Sequence, residues 1–543
     1  MNDEAGGSLF LRRTAVMSVG TALSRLTGFL RVLAAAYALG VSASRLADAY
    51  NVANSTPNVV YDLVLGGVLS AVFVPVFVEA FEKRGQEAAW EAARSVMAMT
   101  LVVLAVVAAA GILAAGLIIH AYSGTAHGRS LPSYRSVATF FLMWFMPQVV
   151  FYGLGTVATG ILNARRRFAA PMFAPVLNNL IVVATMIGFT LLPGPTHPTQ
   201  ANITTAQRYL LALGTTLGVV AMTVVLWPSL RRAGFRWRGK VNWHDPAFRR
   251  IGRLGGWVFM YVAVNQLSYL VVIRLANRIQ GGFTAFTYAY IFFQLPHAIF
   301  AVSAFTALLP AMSSAWQGRD FDSFRSAVSR GLRATVAIIV PATLGYIALA
   351  RPIVRLLLQK GLTNGGDAAL ISNVLVYFAA GLIGFSGFQF VLRAFYAMQD
   401  TRTPALVNLG ATALNVVLNV LLIGPLGVPG LAVGQTVAYA VALVWLWAAL
   451  NRRVGRIDLR PVGTTFVRAG MAGVVAAAAA FAVSRWLGHT LGTVQVGDQL
   501  VQVVAGLAAG VGVFLAAAFL LRMEELLAVV RLIKRGPGTR SPG

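Results

Sequence analysis

Two arginines lie inside the first apolar stretch of the chain, which begins near Thr14 and ends near Leu39. Arg25 lies about 16 Å along a helix that starts at Thr14, which is close to the middle of a bilayer. An arginine at that depth costs about 2.5 to 3.5 kcal/mol and normally faces a partner or a water-filled cavity. We therefore expect Arg25 and Arg31 to line a cavity. Snorkelling toward the headgroups is the alternative, and it suits Arg31 better than Arg25.

The second apolar stretch carries polar residues at steps of three or four positions, which places them on one face of a helix. They are Asp48, Asn51, Ser55, Asn58, Asp62 and Gly66. A polar row on a membrane helix indicates either a protein-lined aqueous path or hydrogen bonds to a neighbouring helix. Two carboxylates exceed what helix association needs, so we expect this row to line the path of a substrate.

Amide and hydroxyl groups recur in the eleventh and twelfth apolar stretches. Asn415 and Asn419 are one helical turn apart, and Thr436 follows in the next stretch. Oxygen ligands of this kind could hold a small hard cation, and hydrogen bonding between helices is the alternative. We expect no other cofactor and no enzymatic activity. The chain has no cysteine, only six scattered histidines, and no GxxxxGK[ST] phosphate-binding loop for nucleotide hydrolysis.

These side chains must be positioned by membrane helices. Hydrophobic residues make up 58% of the chain and charged residues 11%, whereas a soluble domain has roughly 25% charged residues. Apolar runs of roughly twenty residues predict about fourteen transmembrane helices. The predicted spans are 14–39, 47–78, 95–120, 136–162, 170–192, 208–229, 255–277, 284–312, 330–350, 369–394, 402–424, 430–450, 464–484 and 500–521.

The net charge of +27 is distributed in short loops rather than on one surface, which argues against nucleic acid as a partner. With the N-terminus inside, roughly three quarters of the lysines and arginines fall in cytoplasmic segments. We therefore expect a multi-pass membrane protein with both termini cytoplasmic, and the resemblance described below implies the bacterial plasma membrane. The outward segment from Arg351 to Lys360 fits this distribution least well and could be interfacial.

Two pairs of segments predict an internal repeat. GILNARRRFAAP at 160–171 resembles RAFYAMQDTRTP at 393–404, and ADAYNVANSTPNVV at 47–60 resembles TYAYIFFQLPHAIF at 287–300, at similar offsets. The predicted fold is all-α, with two pseudo-symmetric six-helix lobes plus two C-terminal helices. The lobes are 1–229 and 255–450, the basic cytoplasmic linker between them is 230–254, and the last two spans with a basic tail are 451–543.

Four segments resemble signatures of the MurJ/MviN family of lipid-linked peptidoglycan precursor flippases. They are SRLTGFLR at 24–31, DAYNVANSTPNVVYDLVLGGVLSAVFVPVF at 48–77, LNARRRFAAPMFAPVLNN at 162–179 and FYAMQDTRTPALVN at 395–408. The segment at 48–77 most resembles the actinobacterial branch of that family. The resemblance implies a MATE-like exporter with a cationic cavity and a C-terminal groove for a polyprenyl tail. It also implies lipid II, an undecaprenyl pyrophosphate lipid, as the substrate, with surrounding membrane lipids and cell-wall synthesis proteins as further partners.

The family's two cavity arginines and one aspartate map onto Arg25, Arg31 and Asp48. The chain departs from the family at 61–67, where arginine and an EGA motif are common, and at 289–291, where ADR is common. Asn419 stands where some members have a sodium-site aspartate. The cavity therefore has fewer charges than the family pattern.

The resemblance implies alternating access that moves lipid II from the inner to the outer leaflet. Arginines suit this substrate because guanidinium groups bind phosphate bidentately. The candidate driving forces are a coupling monovalent cation and the membrane potential, which is worth about 2.3 kcal/mol per charge per 100 mV. Two alternatives stay open: an exporter of another undecaprenyl-linked saccharide or amphipathic molecule, and a non-transporting scaffold for cell-wall assembly.

Overall fold

The structure is a computed structural model that describes residues 2–65, 77, 85–124, 131–165, 167–237, 262–298, 302–523 and 525. Within these ranges the regular elements are helices and no β-strand occurs. The predicted all-α fold class is therefore confirmed. Gly66 of the predicted polar row and most of the predicted linker 230–254 lie outside the described residues.

The helices of the first half of the chain are α1 (Asn2–Leu39), α2 (Leu46–Leu65), α3 (Gln86–Leu113), α4 (Ala115–Ser123), α5 (Leu131–Phe145), α6 (Gln148–Ala164), α7 (Ala169–Leu191), α8 (Thr205–Val224), α9 (Trp227–Ala233) and α10 (Val262–Ala276). Those of the second half are α11 (Gly282–Pro296), α12 (Val302–Gln317), α13 (Phe321–Leu358), α14 (Gly365–Ala380), α15 (Leu382–Ala397), α16 (Arg402–Leu426), α17 (Val428–Val454), α18 (Arg460–Thr490) and α19 (Val496–Leu520).

Many of these helices are suited to a bilayer. In the described part of the chain, 10 helices are long and apolar enough to cross a membrane, and the pair α14 and α15, bent by 46°, can form one more span. This confirms a polytopic membrane protein. The other three predicted spans coincide with α2, α10 and the pair α11 and α12, which adjoin residues outside the described ranges. The total of fourteen spans stays a prediction.

The chain forms two compact units, the first comprising Met1–Thr284 with Lys360–Asn364. In this unit α1 packs on α7, α7 on α8, and α2 on α5. The short segment Lys360–Asn364 closes the end of α1, because Leu362 N donates to Tyr37 O at 3.0 Å and Thr363 Oγ1 donates to Ala36 O at 2.7 Å. The first bond gives the Tyr37 carbonyl a donor at the helix end, and the second adds to the bond that Ala36 O already accepts from Gly40 N at 3.0 Å.

The second unit comprises Ala285–Gln359 and Gly365–Gly543. Its longest helix, α13, packs on both α18 and α19, which are the two predicted C-terminal spans. Ala337, Val340, Ala469 and Ala518 are buried where these three helices meet. Small side chains allow membrane helices to approach closely, and they explain this packing. The predicted boundaries of the lobes and linker stay a prediction.

A buried aspartate organises the turn between α15 and α16. Asp400 accepts hydrogen bonds from Thr403 N at 3.0 Å and Thr403 Oγ1 at 2.7 Å, and its Oδ2 lies 2.8 Å from Arg453 Nη2 on α17. Burial raises the pKa of Asp400, but the Thr403 hydrogen bonds and the Arg453 charge outweigh burial and hold the pKa below its ordinary 3.8. The folded state therefore favours the charged carboxylate.

Replacing Asp400 with asparagine is expected to lower stability by about 1 to 2 kcal/mol, because the variant lacks the charge that Arg453 and Thr403 stabilise. A depressed folded-state pKa contributes stability that is present above pH 3.8 and is lost as the pH falls below it. The difference in thermal unfolding midpoint between the wild type and the variant should therefore shrink on acidification below pH 3.8. A difference that stays constant with pH would contradict the assignment.

Candidate functional site

The polar row predicted on α2 is present in the structure. Asn51, Ser55, Asn58 and Asp62 are all half-buried, whereas residues on the other faces of α2, such as Ala49 and Val52, are fully buried. Ser55 Oγ donates to Asn51 O at 2.8 Å, and Asn58 Nδ2 donates to Asn54 O at 2.9 Å. These bonds stay within α2, so the row provides partly exposed polar groups along one membrane helix.

The far end of this row reaches α10. Asp62 accepts a hydrogen bond from Gln266 Nε2 at 2.9 Å. At the near end, Asn51 Nδ2 donates to Thr284 Oγ1 at 3.1 Å. The row is thus fixed at both ends by side chains distant in sequence, while Ser55 and Asn58 between them donate to backbone carbonyls of their own helix. The centre of the row is the part with acceptor capacity for a substrate, notably the Asn58 amide oxygen.

Arg31 lies beside tyrosines of the first unit. Its guanidinium is within hydrogen-bonding reach of the Tyr50 hydroxyl on α2 and interacts electrostatically with Tyr152 on α6, whose hydroxyl is hydrogen-bonded by Asn58. The Tyr50 hydroxyl also bonds Thr215 Oγ1 at 2.8 Å. We call Arg31, Tyr50, Asn58 and Tyr152 the Arg31 cluster. It combines a half-buried cation with hydroxyl and amide groups, which is a suitable environment for a phosphate oxygen.

Tyr61 extends the Arg31 cluster along α2. Its hydroxyl lies 2.7 Å from Thr156 Oγ1, and its ring centroid is 5.5 Å from that of Tyr152. From the sequence alone, Tyr61 stands out only as a departure from the family pattern, and Tyr50, Tyr152 and Thr156 are not predicted as site residues. The available signal was the spacing of Tyr50 and Tyr61 on the helix that carries the polar row.

Arg25 is exposed on α1, on a different side from the exposed apolar residues of that helix. Those residues recur at steps of four, three and four positions: Val19, Leu23, Leu26 and Leu30. Such a row is suited to lipid. Arg25 lies outside it, as expected for a side chain that avoids lipid tails. The structure brings Arg31 to α2, whereas Arg25 is not part of the Arg31 cluster in the described part of the chain.

Asp48 is fully buried, unlike the rest of its row. Its Oδ2 accepts from Gly281 N at 2.7 Å, and its Oδ1 accepts from Thr284 N at 3.0 Å and Thr284 Oγ1 at 2.7 Å. Gly281 and Thr284 lie at the start of α11, where backbone N–H groups lack intrahelical acceptors and favour a negative charge. In this structure Asp48 is a helix-capping carboxylate, and its predicted contact with substrate stays a prediction.

A buried arginine accompanies Asp48. Arg45 is 4% exposed, its Nη1 donates to Asn277 O at 3.0 Å, and its guanidinium lies 5.8 Å from the ring centroid of Tyr134. From the sequence alone, Arg45 is an outer-loop residue. Arg45 is therefore a buried residue rather than a solvated loop residue, and its charge acts on Asp48 through space without forming an ion pair among the described residues.

The structure joins two of the three residues predicted to hold a cation. Asn419 Nδ2 donates to Asn415 Oδ1 at 3.0 Å, and both residues are buried. Among the described residues Asn419 Oδ1 has no hydrogen-bond partner, and it lies where a side chain on Gly434 of α17 would project. An orphaned amide oxygen of this kind fits a cation ligand. Thr436 instead donates to Tyr377 O at 2.9 Å. In the described ranges, no group of three or more His, Asp or Glu could hold a metal ion.

Replacing Gly434 with alanine is expected to destabilise the protein by about 1 to 3 kcal/mol, because the added Cβ would collide with Asn419 Oδ1 and shift the amide whose Nδ2 donates to Asn415. The matched control is Gly470→Ala on α18, where a Cβ meets nothing within 4 Å. That change should be neutral or stabilising by up to about 1 kcal/mol, since alanine favours helix. Thermal unfolding of both variants tests the packing; equal midpoints would contradict it.

Comparisons with a family model and with known relatives all indicate the same protein family. The family model described as lipid II flippase MurJ matches residues 35–497. A probable lipid II flippase MurJ from Rhizobium meliloti (strain 1021) is 27% identical over 534 residues, covering 98% of this chain and 97% of the relative. A lipid II flippase MurJ from Burkholderia cenocepacia is 27% identical over 452 residues, covering 81% and 84% of the two chains.

Solved structures show the same fold. A lipid II flippase MurJ in an inward closed conformation superposes with a TM-score of 0.75 at 20% identity, covering 94% of this chain and 99% of that one. An inward-facing multidrug resistance MATE family transporter of the MOP superfamily gives a TM-score of 0.65 at 15% identity, covering 80% and 98%. Because the family model spans most of the sequence and the relatives match over nearly their full lengths, this chain belongs to the lipid II flippase MurJ family.

Proposed function

We propose that this chain flips lipid II from the inner to the outer leaflet of the bacterial inner membrane by alternating access. Membership of the family and the names of the relatives support the substrate. The observation that carries the proposal is the Arg31 cluster next to the polar row of α2. A half-buried guanidinium with tyrosine hydroxyls can replace the hydration of a pyrophosphate group inside a membrane protein.

The polar row provides the rest of the proposed path. Asn51, Ser55, Asn58 and Asp62 are partly exposed along one face of α2. A diphosphate and its attached sugars carry many hydrogen-bonding groups, which would be costly to move through hydrocarbon without polar partners. Arg25 adds a second cation on α1, and Asp48 supports the path by fixing α2 to the start of α11. The lipid tail would remain in contact with membrane lipid.

We further propose fourteen spans with both termini in the cytoplasm and transport without nucleotide hydrolysis. The distribution of lysines and arginines supports this orientation. The driving force is either the membrane potential, which would draw an anionic headgroup outward, or a monovalent cation held in part by Asn419 Oδ1 and Asn415. The orphaned oxygen of Asn419 supports the cation site.

The test is translocation of fluorescent lipid II in proteoliposomes of the purified full-length protein, read as loss of signal to an impermeant quencher. We expect protein-dependent flipping that exceeds the rate in empty liposomes. Parallel arms impose a potassium diffusion potential or a sodium gradient and identify the driving force. Preference for an undecaprenyl-linked saccharide without the pentapeptide would instead assign the alternative substrate.

The scaffold alternative is tested in cells. Under the flippase proposal, Arg25→Ala should abolish complementation of a strain depleted of its own lipid II flippase, while the variant remains folded and abundant. An exposed arginine contributes little to stability, so loss of function would reflect a lost charge in the path. Full complementation by the Arg25→Ala protein, together with no translocation in proteoliposomes, would favour the scaffold.

A further inference from the structure

The second unit contains a cavity with a cationic lining, apart from the site described above. The cavity has a volume of about 630 Å³ and lies among α13, α14, α18 and the start of α19. Its basic residues are Arg351 and Arg355 on α13, and Arg485 and His489 on α18. None of the described residues that line it is Asp or Glu. The volume lies within the range of roughly 300 to 1,000 Å³ that is common for small-molecule sites.

The three arginines form no ion pair within the described part of the chain. Arg351 and Arg355 are one helical turn apart, so their charges repel. Helix C-termini favour cations, which accounts for Arg355 and His489 in the last turns of α13 and α18. Arg351 and Arg485 lie a turn further into their helices. Their convergence on one cavity therefore indicates an anionic occupant.

Two buried side chains that line the cavity have hydrogen-bonding atoms without partners among the described residues. Ser484 and Gln502 are 2% and 5% exposed, and the atoms concerned are Ser484 Oγ and Gln502 Oε1. Gln502 Nε2 donates to Ser484 O at 2.9 Å, which fixes the orientation of the amide. Buried polar groups are rarely left unsatisfied. The occupant should therefore carry hydroxyl donors as well as a negative charge.

Two exposed aromatic residues indicate the level of this cavity in the membrane. Trp486, next to Arg485, is 64% exposed, and Tyr377, one residue after the lining residue Val376, is 41% exposed. Tryptophan and tyrosine are enriched where the bilayer meets water. In the orientation that we propose above, with both termini cytoplasmic, this end of α13 lies at the outer surface. A cationic cavity at headgroup level is accessible to lipids that already lie in the leaflet.

We propose that this cavity binds the headgroup of an anionic glycerophospholipid with free hydroxyl groups, as in phosphatidylglycerol. The phosphodiester contacts Arg351, Arg355 and Arg485, since guanidinium groups bind phosphate oxygens bidentately. The headgroup hydroxyls reach Ser484 Oγ and Gln502 Oε1. A polyprenyl phosphate offers the charge but no glycerol hydroxyls, which disfavours it as the occupant. This site is independent of lipid II transport.

The test is native mass spectrometry of the full-length protein in detergent, titrated with phosphatidylglycerol, phosphatidylcholine and undecaprenyl phosphate in separate arms. One phosphatidylglycerol should bind at least about tenfold more tightly than phosphatidylcholine, which lacks the net negative charge and the headgroup hydroxyls. Undecaprenyl phosphate can also bind the proposed transport path, so its binding is compared between the wild type and the variants. Arg351→Gln/Arg485→Gln should weaken phosphatidylglycerol binding about tenfold or more. The matched control is Arg456→Gln, an exposed arginine after α17, which should leave binding unchanged.

The Ser484→Ala variant tests recognition of the headgroup hydroxyls separately from recognition of the negative charge of the lipid. Because Ser484 Oγ has no partner, its removal should leave the thermal unfolding midpoint unchanged. It should nevertheless weaken phosphatidylglycerol binding several-fold and leave undecaprenyl phosphate binding unaltered. Equal binding of phosphatidylglycerol and phosphatidylcholine, wild-type phosphatidylglycerol affinity in the double arginine variant, or an equal loss of undecaprenyl phosphate and phosphatidylglycerol binding in that variant would each overturn the proposal.

Discussion

Replacing Asp48 with alanine is expected to lower the thermal unfolding midpoint of the purified protein by several degrees. The change leaves Gly281 N, Thr284 N and Thr284 Oγ1 without their acceptor and removes the carboxylate near the buried guanidinium of Arg45. A buried hydrogen-bond donor left without an acceptor costs about 1 to 3 kcal/mol, and Asp48→Ala leaves three such donors at the start of α11. We expect no comparable loss at any half-exposed position of the same row.

Two further variants make the Asp48 prediction specific. Asp48→Asn keeps one acceptor oxygen and should lose less stability than Asp48→Ala. Asp62→Asn is the matched control, because Asp62 is a half-buried carboxylate on the same helix that accepts a hydrogen bond from Gln266. Its midpoint should change by the equivalent of about 1 kcal/mol or less. Similar losses in Asp48→Ala and Asp62→Asn would contradict the capping role of Asp48.

The polar row of α2 could be predicted because helical periodicity is a local property. Steps of three and four positions place Asn51, Ser55, Asn58 and Asp62 on one face whatever the surrounding structure is. The structure confirms that face as the half-exposed one. Periodicity alone could not distinguish Asp48 from the other residues of the row. The burial of Asp48 depends on the backbone N–H groups of Gly281 and Thr284, which are 233 and 236 positions away in the sequence.

Other features depended on contacts that no local pattern encodes. Arg45 belongs to a loop by sequence, yet it is buried against Asn277, 232 positions away. The segment Lys360–Asn364 closes the end of α1 although more than three hundred positions separate them. The tyrosines around Arg31 were also not predicted, since an aromatic residue in a membrane helix is usually a packing residue.

The Arg31 cluster changes the interpretation of the missing family charges. Tyr61 stands where many members have arginine, so the path has fewer cations, but Tyr50 and Tyr152 lie near Arg31, and the ring centroid of Tyr61 lies 5.5 Å from that of Tyr152. Tyrosine hydroxyls donate to phosphate and sugar oxygens without adding charge. Under our proposal, one cation and several neutral donors bind the substrate where other family members use several cations. Losing Arg31 should therefore impair this chain more than losing one arginine impairs a member that has several.

Replacing Arg31 with alanine is therefore expected to reduce lipid II translocation in proteoliposomes by about 10- to 100-fold, the loss of a hydrogen-bonded charge worth roughly 1.5 to 3 kcal/mol. Arg31→Lys keeps the charge but not the bidentate geometry and should give an intermediate rate. Both variants should retain the wild-type unfolding midpoint within a few degrees, since Arg31 is half-buried and forms no ion pair among the described residues. Translocation by folded Arg31→Ala protein at the wild-type rate would remove the Arg31 cluster from the path and leave Arg25 as its remaining cation.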